Sequence, residues 1–130
     1  MIHHNIAGRR FLVVEDEYYL ADDVRSVLSQ AGAEVVGPLA TLDEAQAFIA
    51  SGAGVDGVFL DVNLRGSMAF GLADTLQAQD VPFAFITGYD MAALPTCFAD
   101  VPKLQKPASS EALVRIASDL AAARNEMHLQ

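Results

Sequence analysis

The chain has 130 residues, 52% of them hydrophobic, and its 17 acidic side chains against 8 basic ones give a formal charge of −9. That balance fits one packed domain and excludes a disordered chain; it also argues against nucleic-acid binding, which needs a basic surface. No apolar run approaches the ~20 residues needed to span a bilayer. The opening MIHHNIAGRR lacks the apolar core of a signal peptide, so a cytoplasmic protein without membrane insertion is expected. Cys97 is the single cysteine, which leaves no internal disulfide and suits a reducing compartment. His3 and His4 have no further ligand near them in sequence, so they read as a frayed lead-in and not as a metal pair.

Strand-like and helix-like patterns then alternate. Phe11 to Val14 is a short apolar run ended by Glu15-Asp16-Glu17. Leu20, Val24, Val27, Leu28 and Ala31 share a helix face that stops at Gly32. Val35, Val36 and Leu39 make a weaker second strand. Thr41 to Glu44 is a capping box opening a helix with Leu42, Ala45, Phe48 and Ile49 inward. Val58 to Asp61 is the third strand, and Ala69, Leu72, Ala73 and Leu76 recur at helical spacing after it. Val81 to Thr87 is the fourth strand, with Pro82 tolerable near its start. From Gly88 to Val101 Pro95 interrupts any long helix and caps are lacking, so one or two turns at most are expected. Leu104 to Lys106 is a short fifth strand, and Ser109 caps a last helix carrying Leu113, Ile116, Ala117 and Leu120.

Continuous apolar strands separated by helices predict a parallel sheet covered on both faces. The expected fold is a flavodoxin-like, doubly wound five-stranded sheet of order 2-1-3-4-5 with a degenerate fourth helix. Residues 1–9 are read as a lead-in, 10–125 as the domain and 126–130 as a tail. In such sheets ligands bind at the carboxyl ends of the strands, where strand order reverses. Here those ends carry Glu15 and Asp16, Asp61, Thr87 and Lys106. Three carboxylates on one rim repel, and a divalent cation is the simplest cure. All-oxygen donors favour magnesium over zinc. A lysine and a threonine beside the metal suit the oxygens of a phosphoryl group.

At these residues the chain resembles a response-regulator receiver domain from end to end. The matching pieces are VVEDE, FLDVN, FIT and LQKP, in that order on successive strand ends. FITGYD, the weak fourth helix and the length of a stand-alone domain resemble the FATGUY group of single-domain receivers, in which glycine and tyrosine follow the threonine. The resemblance implies that Asp61 is the phosphoacceptor. It implies Mg2+, with Mn2+ as the alternative, on Glu15, Asp16, Asp61 and the backbone carbonyl of Asn63. Thr87 and Lys106 would contact the phosphoryl oxygens, and the bond before Pro107 would be cis. The donor would be the phosphohistidine of a sensor histidine kinase, of the HWE or HisKA2 kind, or of a phosphotransfer protein. The chain would then act as relay, phosphate sink or partner-binding output.

Two positions depart from the family pattern. Lys103 stands where many receivers carry an aromatic that rotates inward on phosphorylation; Tyr89, after Gly88, is the candidate to replace it. Arg65 stands where many carry proline, so a looser loop is expected after Asp61, with Arg65 free to reach a phosphate or an acidic partner. Two other functions compete. A magnesium phosphohydrolase on a similar sheet usually places a second acid two residues after its aspartyl nucleophile, and Asn63 there lacks acid-base capacity. A pseudo-receiver would bind partners without phosphate, but all five key side chains are present.

Overall fold

The computed structural model describes residues 5–88 and 94–128. Five strands alternate with helices: β1 (Arg10–Val14), α1 (Tyr18–Gln30), β2 (Glu34–Leu39), α2 (Leu42–Ala50) and β3 (Gly57–Asp61) come first. A two-stranded hairpin follows, β4 (Asn63–Leu64) and β5 (Ser67–Met68), then α3 (Phe70–Ala78), β6 (Phe83–Thr87), β7 (Lys103–Gln105) and α4 (Ser110–His128). β2, β1, β3, β6 and β7 form one parallel sheet in that spatial order, which is the flavodoxin-like arrangement expected.

The three inner strands, β1, β3 and β6, bury both faces, and alternate residues separate into two cores. Leu12, Val14, Val58, Leu60, Phe83 and Phe85 face Ala45 and Ile49 of α2 and Leu72, Ala73 and Leu76 of α3. Phe11, Val13, Phe59, Ala84, Ile86 and Leu104 face Val24 and Leu28 of α1 and Leu113, Ala117 and Leu120 of α4. Ile6, inside the stretch read as a lead-in, is fully buried in that second core. At Gly57 α4 packs directly on the sheet: a Cβ there would lie 2.9 Å from Leu120. Pro82 stays outside β6 because it has no N–H, yet its carbonyl still accepts from the Val58 N–H at 3.0 Å.

Thr41 caps α2 as expected, accepting from the Glu44 N–H at 3.2 Å while its hydroxyl donates to Glu44 Oε1 at 3.0 Å. Ser109 does the same for α4, through the Ala112 N–H at 3.1 Å.

Between β6 and β7 the described residues hold one 3-10 turn, Thr96–Phe98, and no α-helix. Two attachments fix it. Phe98 is buried in an aromatic cluster, its ring 5.4 Å from Phe85 and 5.8 Å from Phe70. Lys103 turns its ammonium back on the turn and donates to the carbonyls of Phe98 (2.8 Å), Ala99 (3.2 Å) and Val101 (2.6 Å). Lys103 thus adds three side-chain bonds to a turn whose backbone holds itself only by i→i+3 bonds, at the N–H groups of Phe98, Ala99 and Val101.

Replacing Lys103 with Met keeps the apolar stem and removes the donor. The expected outcome is a loss of about 1–2 kcal/mol in denaturant unfolding, with faster amide exchange at Ala99 and Val101 and unchanged exchange in β1 and β3.

Candidate functional site

Strand register alone assembles the site. Val14 pairs with Leu60 across β1 and β3, so Glu15 and Asp61 follow side by side. Asp61 pairs with Ile86, which puts Thr87 one step further on β6. Thr87 pairs with Gln105, and the Lys106 N–H bonds the Thr87 carbonyl at 2.9 Å. The structure therefore brings Glu15, Asp16, Asp61, Thr87 and Lys106 to one rim, around an open cleft of about 330 Å³ lined by Asp16, Asp61, Asn63, Gly88 and Lys106.

Glu15, Asp61 and Thr87 are all buried, with exposures of 2%, 2% and 0%. Lys106 Nζ bridges the two acids, 3.2 Å from Glu15 Oε1 and 3.0 Å from Asp61 Oδ2. Asp61 Oδ1 accepts from the Asn63 N–H at 3.2 Å, and Glu15 Oε1 accepts from the Glu17 N–H at 3.3 Å. Glu15 Oε2 is buried without a partner. Burial first, then the hydrogen bond to Asp61 and the charge of Asp61, push the Glu15 carboxyl up to about 8, against the pull of Lys106. Burial pulls the Lys106 ammonium down, but Asp61 and Glu15 outweigh it and hold its pKa above the usual lysine value. One ammonium therefore serves two carboxylates, and near neutral pH a proton on Glu15 makes up the balance.

One oxygen each from Glu15, Asp16 and Asp61 can lie within 4.8 Å of one another, a hard all-oxygen set with the orphaned Glu15 Oε2 beside it. The residues fit a magnesium ion.

The segment after Asp61 corrects the expected loose loop. Asn63 pairs with Met68 and Leu64 with Ser67, while Arg65 (φ 52°) and Gly66 (φ 84°) form a two-residue turn. Both central residues have positive φ, the geometry that matches the twist of a tight hairpin. Asn63 Oδ1 closes the turn on the Gly66 N–H at 2.9 Å, and the Arg65 N–H donates to Asp16 Oδ2 at 3.0 Å. Arg65 thus meets the site through its backbone N–H. The signal was Gly66 after a polar residue, between short paired runs. Lys106-Pro107 is cis, as the resemblance implied. Tyr89 and the two histidines His3 and His4 lie outside the described residues.

No family model and no curated protein sequence matches the chain; solved structures do. The BeF3-activated solution structure of SdrG from Pseudomonas melonis Fr1 is 35% identical over 88% of this chain and 98% of its own, with a TM-score of 0.72. A response regulator receiver protein from Sinorhizobium medicae is 26% identical over 90% of this chain and 97% of its own, with a TM-score of 0.77. The chain belongs to the response-regulator receiver domains. The response regulator PhyR from Brucella abortus shares the fold at 24% identity and a TM-score of 0.77, over 95% of this chain; the receiver spans about half of PhyR (51%). Membership places the chain in two-component signalling, as a signalling domain and not a conventional enzyme. Among the described residues no helix is long and apolar enough to cross a membrane.

Two expectations follow. Because Glu15 keeps its proton up to about pH 8 in the fold but only to about 4.5 unfolded, its contribution to stability is present at low pH and lost as pH rises between those values. A cation held by these acids would displace that proton, so Mg2+ affinity should tighten by up to about tenfold per pH unit as pH approaches 8. Calorimetry at pH 6.5 and 8.5, in buffers of different ionisation enthalpy, reads the released proton. For the hairpin, Arg65→Gly should hold or raise the Tm, since φ 52° suits glycine. Arg65→Pro should lower stability by about 2 kcal/mol, by losing that φ and the N–H to Asp16.

Proposed function

We propose that Asp61 accepts a phosphoryl group from the phosphohistidine of a sensor histidine kinase or phosphotransfer protein. The observation that carries this is a buried carboxylate at the end of the central strand, held between the Lys106 ammonium and the Asn63 N–H, with two further acids beside it. An Asp61 oxygen attacks phosphorus in line, the phosphorus–nitrogen bond breaks, and its electron pair returns to the donor imidazole. Lys106 stays protonated throughout and offers its charge to the phosphoryl oxygens, with the Thr87 hydroxyl beside it as a donor. Glu15, Asp16, Asp61 and the backbone carbonyl of Asn63 would hold Mg2+, or Mn2+, which neutralises charge on the transferring group when bound. The same residues would assist hydrolysis of the acyl phosphate.

Phe85-Ile86-Thr87-Gly88 followed by Tyr89, and the single 3-10 turn that the described residues hold between β6 and β7, support placement in the FATGUY group. A kinase of the HWE or HisKA2 kind is the donor that this placement suggests, in the cytoplasm. The phosphorylated form then signals by contact with another protein or by drawing phosphate from one. The Asn63 side chain, tied to the Gly66 N–H, gives no support to a phosphohydrolase, which needs an acid there.

Acetyl phosphate with Mg2+ should add about 80 Da to the intact chain, and Asp61→Asn should abolish the adduct. Lys106→Ala should leave Mg2+ binding in place and slow adduct formation by about a hundredfold. No adduct on the unmodified chain, with Mg2+ bound, would leave a partner-binding pseudo-receiver.

A further inference from the structure

At the amino ends of β6 and β7, on the rim opposite Asp61, a groove of about 480 Å³ opens between α3, α4 and the chain entering β7. Its floor is apolar: Val81, Pro82 and Phe83 from the start of β6, Val101 before β7, and Leu120 and Ala123 from α4. Its rim carries three carboxylates, Asp80, Asp100 and Asp119, all exposed. No lysine or arginine lines it, and among the described residues none of the three aspartates makes an ion pair. Asp80 is held in place at the end of α3 by its own backbone, with φ 57° and its N–H on the Gln77 carbonyl at 3.2 Å.

An apolar floor gives a bare metal ion no ligands, and an acidic rim repels an anionic lipid surface. What matches both parts is a peptide with an apolar anchor flanked by lysine or arginine. The volume accommodates one or two large side chains.

We propose that this groove is a docking site for a basic, amphipathic segment of a partner protein, separate from the phosphoacceptor rim by the length of a strand. One wall, Asp100 and Val101, belongs to the segment that begins at Thr87, so the two rims share a stretch of chain.

The chain is acidic throughout, so the experiment must separate the groove from bulk charge. The probe is a short labelled peptide of leucine and lysine in amphipathic helical order, with a leucine–glutamate peptide as its control. Titrated into the full isotope-labelled chain, the lysine peptide should shift the amides of Val81, Val101, Leu120 and Ala123, and the glutamate peptide should shift none. The rim variant D80N/D100N/D119N should weaken binding about tenfold or more, while D23N/D43N/E111Q, of equal charge, should change it less than about twofold. Ala123→Trp fills the groove and should block the peptide; the two charge variants decide the matter if it does not fold. Equal weakening by both triple variants, shifts centred on Glu15, Asp16 and Asp61, or no shifts at all would overturn the proposal.

Discussion

Two carboxylates, Glu15 and Asp61, stand side by side on neighbouring strands with one ammonium between them. Both are buried, and Lys106 comes from the far edge of the sheet to meet them. Removing two negative charges from water is costly, and one counter-charge does not offset it. The deficit shows on Glu15, whose carboxyl burial and the neighbouring Asp61 push up to about 8. An arrangement that serves stability poorly is one that a cation and a phosphoryl group can complete, and perturbed groups concentrate at such sites. The apolar strands before each acid supply the rigidity this requires. A carboxylate at the end of a fully buried strand cannot swing away from its neighbour to relieve the repulsion.

The hairpin after Asp61 is a second restraint of the same kind. It uses backbone groups, which no exposed side chain can easily replace. The Arg65 N–H engages Asp16 Oδ2, and Asn63 spends its amide oxygen on closing the turn. Asp16 is the least buried of the three acids, so a fixed backbone donor orients it where packing does not.

The parts of this architecture carried by periodicity and by strand ends were legible in the sequence. Phe11–Val14 and Val58–Leu60 are continuously apolar because both faces of each strand are covered, and five polar residues at four strand ends fall on one rim because the strands are parallel. What escaped was what depends on single backbone angles or on distant side chains. A two-residue turn at Arg65-Gly66 has no periodicity to betray it. Lys103 looks like an ordinary strand-edge lysine until the turn it caps is in place. The groove is made by α3, α4 and the entry to β7, which lie far apart in sequence, so no local pattern announces it.

The chain between β6 and β7 links these observations. It leaves the phosphoacceptor rim at Thr87 and arrives at the groove wall at Asp100 and Val101. Among the described residues of that chain, the 3-10 turn is held by its own i→i+3 bonds, by Phe98 in the aromatic cluster and by Lys103 on three carbonyls. The bonds of the half-buried Lys103 ammonium together contribute about 1–2 kcal/mol, and the packing of Phe98 adds to that. Shifting the turn therefore costs a few kcal/mol, within reach of what a ligand with differential affinity can supply. Removing the anchor altogether would leave nothing to shift, since a segment already populating many arrangements cannot report a change at one end to the other. Under the docking proposal, Lys103 is the contact that would have to yield for the turn to move.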